Sequence, residues 1–305
     1  MNEEKNKKKW GDRHDGKQIK VPAMAKIMTY IKNRNEAYVY INRKFDVTNL
    51  VDYMKKKKEK NPDLTYFHAF SMAIAKTVYN RPRLNTFIMN HKFYQRNDVI
   101  LTFTARISFD DDKNKEVMSL IKVDPEDNII DLSNKIKEKV NNFRNKKIQT
   151  SSDDSLDFLG KLPNWMLKII IAPVFKWLDR HDKLPKSLNN DLLYNSTVIL
   201  SNLGSIKCGA IHHNLTNFGT NSIILTIGDI HKEPVVMENG KVEVRDIVEF
   251  GINLDERIGD GVYFSKSVNL LDYILKNPET LEDKANEVIK EKKDFEYWFN
   301  RKILS

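Results

Sequence analysis

A chain of 305 residues, 40% of them hydrophobic, can bury the core of one large domain or of two ordinary ones, which places it in the globular, water-soluble class. Its formal net charge is +9, but the basic residues are interspersed with 42 acidic ones; with no nucleic-acid module and no basic-aromatic pattern, the composition argues against nucleic acid and suits a small anionic partner. The single cysteine, Cys208, excludes an intrachain disulfide framework and fits a reducing cytoplasm.

Residues 1–20 are rich in Lys, Asn, Glu and Asp, with Trp10 and Ile19 as the sizeable apolar residues. Such a segment buries too little to order itself, so it is expected to be a flexible charged arm. It has no apolar h-region, and so does not read as a signal peptide. The remainder, 21–305, reads as a single domain.

From there the apolar periodicity alternates between two and 3.6, as an α/β chain requires. A strand is expected over 39–47, then a helix over 48–58 opened by Thr48, with Leu50, Val51 and Met54 inward. A second helix, 66–79, carries Phe67, Phe70, Ile74 and Val78 on one stripe. Strands follow over 93–94, 99–109 and 116–123, and a helix over 129–143 closes the first half. Beyond the middle of the chain a helix is expected over 262–275, with Phe264, Val268, Leu271 and Leu275 inward. A last, charged helix over 281–299 ends in Phe295, Tyr297, Trp298 and Phe299.

Between these halves, 151–196 carries the most apolar run of the chain, 162–178, which includes Trp165, Ile169, Ile170, Ile171 and Trp177. It falls short of the roughly 20 residues needed to cross a bilayer, and Lys168, Pro173 and Lys176 interrupt it. A buried helical hairpin or lid, a subunit-interface element and a helix lying on a membrane surface all remain open.

Several motifs carry a resemblance. Asp255-Glu256-Arg257-Ile258-Gly259-Asp260-Gly261 resembles a D-H-R-x-x-D-G signature, and Leu200-Ser201-Asn202-Leu203-Gly204 an S-N-L-G strand end. Phe45-Asp46-Val47-Thr48, Arg81-Pro82-Arg83-Leu84-Asn85 and the strand 222–228 followed by Glu233-Pro234-Val235-Val236 fit the same pattern in the same order. Together they resemble the catalytic domain of the 2-oxoacid dehydrogenase acyltransferases, related in fold to chloramphenicol acetyltransferase, over about 20–145 and 190–280. The run 151–196 departs from that pattern as an insertion. The resemblance implies an α/β (α+β two-layer) fold with a mixed sheet, flanking helices and a helical insertion. It also implies a homotrimer with active sites between subunits, and acyl transfer between coenzyme A and a small acceptor without a metal.

By that resemblance Ser201 donates to the oxyanion, Asn202, Gly204, Arg257 and Gly261 lie along the cofactor, and Asp260 forms a buried structural pair, for which Arg34 is the candidate. Gly261 would let the next helix start close to the strand. The position of the family's catalytic histidine is held by Glu256. Lifting a proton from a thiol near 8.5 onto a carboxylate near 4.3 costs about 5 to 6 kcal/mol, against about 3 for an ordinary histidine. Glu256 would need burial to act as base. His212 and His213 are the other candidates for the base, or else they only tie down a loop; a bare His-His pair offers no spacing that closes a zinc site. Two functions follow, a coenzyme A-dependent acyltransferase with an altered base or an inactive relative that keeps the trimeric fold to bind a ligand or partner.

Overall fold

A computed structural model describes residues 11–106, 116–145, 162–184 and 194–289. Its centre is a six-stranded mixed sheet in the order β2-β9-β8-β7-β5-β6, formed by β2 (Tyr38–Asp46), β5 (Val99–Arg106), β6 (Glu116–Val123), β7 (Val198–Asn202), β8 (Ile223–Val236) and β9 (Val242–Asp255). β7 runs parallel to both β5 and β8, and the other pairings are antiparallel. A second sheet, β1-β4-β3, joins β1 (Gly16–Ile19), β3 (Thr86–Met89) and β4 (Lys92–Arg96).

Helices α2 (Thr48–Lys58), α3 (Tyr66–Asn80), α4 (Ile129–Asn145) and α7 (Gly261–Lys276) supply the other layer. Period-2 alternation in β7, β8 and β9 sends Leu200, Leu225, Phe250, Ile252 and Leu254 toward these helices. At the centre the Phe250 ring meets Phe45 and Phe70 edge-on, with centroids 5.0 and 5.3 Å away. α3 starts at a reciprocal cap: Thr65 Oγ1 accepts from the His68 backbone N–H while His68 Nδ1 accepts from the Thr65 N–H. In α2 the last turn is Lys55 to Lys58, four cations at the negative end of the helix dipole.

The mixed sheet with flanking helices is as expected, and so are the bounds of α2 and β6. The expected arm over 1–20 needs correction: Gly16–Ile19 pair with β4, and Arg13 is buried, so order begins well before residue 20. Backbone pairing and the Arg13–Asp15 ion pair supply what the apolar content lacks. The helix expected over 281–299 is also corrected. Pro278–Glu282 is one 3-10 turn, and the chain then runs irregularly to 289, where Lys76 and Asn80 of α3 hold its carbonyls. The aromatic cluster 295–299 lies outside the described residues, as does the end of the strand expected to reach 109.

In the insertion, Asn164–Met166 (α5), a π-helical turn Leu167–Ile171 and Ala172–Arg180 (α6) run on as one helix, the joining residues all having right-handed helical dihedrals. It is not a buried hairpin, since Trp165, Ile169 and Trp177 are exposed. Arg13 Nη1 donates to the Asp179 carbonyl at 2.9 Å and Phe175 stacks on Phe218 at 5.5 Å, which pins one side of the helix to the body. Among the described residues no helix is long and apolar enough to cross a membrane.

Candidate active site

The expected site residues fall into two groups at opposite ends of the parallel strands. Ser201 sits near the C-terminal end of β7, beside Thr226 of β8, which in turn faces Gly251 of β9. Glu256 follows the last residue of β9, level with the start of β8. Five residues of strand rise and two strand spacings put Ser201 and Glu256 about 20 Å apart in one subunit.

Ser201 belongs to the sheet face turned away from the helices, along with Thr226, Gly251 and Asn253. The segment 208–214 lies on that face. Asn253 Nδ2 donates to the His213 carbonyl at 2.6 Å, and Thr226 Oγ1 donates to the Ile211 carbonyl. Two glycines make room for it: a Cβ on Gly251 would collide with the Ile211 carbonyl, and one on Gly228 would lie 2.9 Å from the Ala210 nitrogen. Gly204 has a similar reason, since its Cβ would sit 2.5 Å from the Gly228 carbonyl oxygen. Asn202 accepts through its carbonyl from Ser205 Oγ. His212 and His213 are exposed, the first beside Tyr40 with ring centroids 4.9 Å apart, while Tyr40 donates to Asn214. Both histidines thus share the outer face with Ser201.

At the other end, Arg257 grips Asp255 through two parallel hydrogen bonds of 2.8 and 2.7 Å and donates to the Lys32 carbonyl. Arg34 is buried nearby, giving hydrogen bonds to the carbonyls of Thr216, Phe218, Gly219 and Ile88, and its Nε lies 3.9 Å from Asp255. Burial lowers the Arg34 guanidinium to about 10, opposed by the Asp255 charge. The expected Arg34–Asp260 pair is therefore corrected to Arg34 and Arg257 around Asp255. Asp260 instead caps α7 by accepting from the Tyr263 N–H at 2.8 Å. Gly261 is not required for close packing either, because a Cβ there would meet open space.

Glu256 is half-buried and its Oε1 takes a 2.7 Å ion pair from Lys32, at the C-cap of α1 (Ala23–Ile31). Together with Arg257, Asp260 and Gly261 it lines a cleft of about 1100 Å³. Val39, Ile41, Phe93 and Phe264 give that cleft apolar walls, and Lys20, Arg43 and Arg83 add cations. Sequence reasoning gave none of these three, nor Lys32, a role: Arg83 falls within a quoted motif, on the 3-10 turn Pro82–Asn85, while Lys20, Lys32 and Arg43 lie in no motif and are brought there by the folding of β1, α1 and β2.

The profile of the family described as 2-oxoacid dehydrogenases acyltransferase (catalytic domain) matches residues 18–154 and 181–282. This chain belongs to that family. The lipoamide acyltransferase component of the branched-chain alpha-keto acid dehydrogenase complex of Bacillus subtilis is 24% identical over 281 residues, 88% of this chain and 54% of that protein. The chain thus spans about half the length of this curated relative. Among solved structures, a probable dihydrolipoamide acetyltransferase from Listeria monocytogenes superposes with a TM-score of 0.56 at 19% identity, covering 86% of this chain and 94% of the other. The cubic core of the pyruvate dehydrogenase multienzyme complex does so with 0.58 at 15% identity, covering 87% and 94%. Both share the fold. The profile passes over 155–180, which contains the inserted helix.

Proposed function

We propose that this chain is a coenzyme A-dependent acyltransferase working as a homotrimer, with each active site built from two copies. The observation that carries the reading is the separation of about 20 Å between Ser201 and the Glu256 cleft in one subunit. No single copy can bring Ser201 to an acyl group carried by a cofactor in its own Glu256 cleft, whereas an interface that sets the Ser201 face of one copy against the cleft of the next can. The multimeric core formed by the pyruvate dehydrogenase relative supports the same arrangement.

In this reading the apolar walls of the cleft take the pantetheine arm, while Lys20, Arg43 and Arg83 answer the phosphates of coenzyme A. Asn202 and Gly204 extend the Ser201 side of the cofactor path, and Arg257 and Gly261 the other. Ser201 Oγ donates to the oxyanion of the tetrahedral intermediate. His212 or His213 takes the thiol proton, because a carboxylate already committed to Lys32 is the poorer acceptor for it. The acyl acceptor is a small molecule, and the reducing cytoplasm keeps the coenzyme A thiol and Cys208 reduced.

One observation favours a second reading. The Lys32–Glu256 ion pair occupies the place of the family's histidine, and a subunit that had become a binding or scaffold protein could keep such a pair for structure alone. Calorimetric titration with coenzyme A and acetyl-coenzyme A, with particle mass measured on the same preparation, separates the two. A trimer that binds both in the micromolar range supports the enzyme; a trimer that binds neither leaves the scaffold.

A further inference from the structure

The inserted helix, Asn164–Met166 continuing through Ala172–Arg180, carries apolar residues on both sides, yet only one side of it is covered. Met166, Leu167, Ile171 and Phe175 are half-buried, and Phe175 stacks on Phe218 of the body. On the opposite side Trp165 is 59% exposed, Ile169 67% and Trp177 48%, with Ile170 and Val174 between them. A helix with apolar residues on both sides normally has a neighbour on both.

The charges of the segment 162–184 are sorted by side. Lys168, Lys176, Arg180 and Lys183 are all exposed. Its two carboxylates turn inward: Asp179 is 3% exposed, and Asp182 faces Arg13 and His14. Lys183 lies over the Trp177 ring at 4.9 Å, which places a cation at the edge of the apolar strip. The outward face thus offers apolar side chains bounded by tryptophans and four cations, with no exposed anion. It is about 25 Å long and too short to span a bilayer.

We propose that this face docks the protein on the surface of a bilayer containing anionic lipid, the helix lying in the headgroup plane. Trp165 and Trp177 sit at the interface, Ile169, Ile170 and Val174 enter the acyl boundary, and the lysines snorkel back to the lipid phosphates. Charge complementarity selects this occupant. A second copy packed face to face would bring the same cations, and a neutral apolar partner would leave them without a role. The family profile passes over 155–180, and none of this helix lines the acyl-transfer cleft; Lys176 and Arg180 reach along one flank, where they also border a cavity with Arg34 and Arg257.

The test is sedimentation of the full chain with vesicles of phosphatidylcholine alone or mixed with phosphatidylglycerol, beside Lys168→Glu/Lys176→Glu and Trp165→Ser/Trp177→Ser. The expected result is pelleting with the anionic vesicles only, reversed by salt. Each exchanged lysine should weaken it about fivefold or more, and the tryptophan pair should abolish it at unchanged particle mass. Absence of pelleting, equal pelleting with neutral vesicles, or undiminished binding by the variants would overturn the proposal. So would a change of particle mass in the tryptophan variant, which would assign the face to a contact between copies.

Discussion

Arg257 holds both carboxylate oxygens of Asp255, and this bidentate pair, buried at the end of β9, fixes the direction in which the motif leaves the sheet. Arg34 stands on the other side of the same carboxylate at 3.9 Å. Removing the carboxylate would leave two buried guanidiniums facing each other without it.

Asp255→Ala should therefore cost about 3 to 5 kcal/mol of stability, the range for breaking a buried ion pair from one side. Urea unfolding of wild type and variant measures it directly. Asp260→Ala, which removes one helix cap, should cost only about 1 kcal/mol.

Gly251→Ala places a methyl group against the Ile211 carbonyl and Thr226 Oγ1. The segment carrying His212 and His213 must lift from the sheet. Stability should fall by about 1 to 3 kcal/mol, as for overpacking elsewhere, and acyl transfer should fall with it. The Asn253 side-chain amide, which holds the His213 carbonyl, should show a changed chemical shift in the variant.

His68 gives the fold a pH dependence. Burial is the main cause that holds its imidazole down to about 4, and its Nδ1 lies within hydrogen-bond distance of both the Thr65 N–H and Ser133 Oγ. The folded value lies below the unfolded one near 6.5, so the contribution is fully present above pH 6.5. It is lost as pH falls through 6.5 toward 4, up to about 3 kcal/mol. His68→Gln should flatten the stability profile between pH 7 and 4, and an unchanged slope would assign it to other groups.

The sequence carried the framework well where periodicity is strong. Thr48–Lys58 and Glu116–Val123 were legible from inward stripes and alternation alone, and the motif order pointed to the mixed sheet. β1 was hidden because Arg13, Asp15 and Gln18 order it through polar contacts, which a composition argument counts as disorder. The turn between β3 and β4 was hidden because Asn90 and His91, at φ 50° and 60°, adopt left-handed conformations without the usual glycine. α1 is nine residues after a proline, too short for its period to stand out. At the site, the motif pointed to Asp260 as the buried acid. Which acid is buried depends on where Arg34 lands, and that is set by contacts with Ile88 and Gly219, distant in sequence.

Glu256→His tests whether the motif position still faces a substrate. In the acyltransferase account the exchange frees Lys32 and adds an imidazole in the cleft to the one that His212 or His213 supplies, so transfer rises by about tenfold or less, below the 10²–10⁴ of a base placed where none stood. Initial rates against acetyl-coenzyme A concentration read it as a change in kcat with KM nearly constant.

The most direct measurement is release of free thiol from acetyl-coenzyme A by the wild-type chain and by Ser201→Ala, followed in the presence of small thiol acceptors. The account predicts turnover by the wild type and a loss of about 10²–10³ in kcat for the variant, the effect of removing one oxyanion donor, with cofactor binding retained. Binding without turnover in the wild type, or equal turnover in the two proteins, would contradict it.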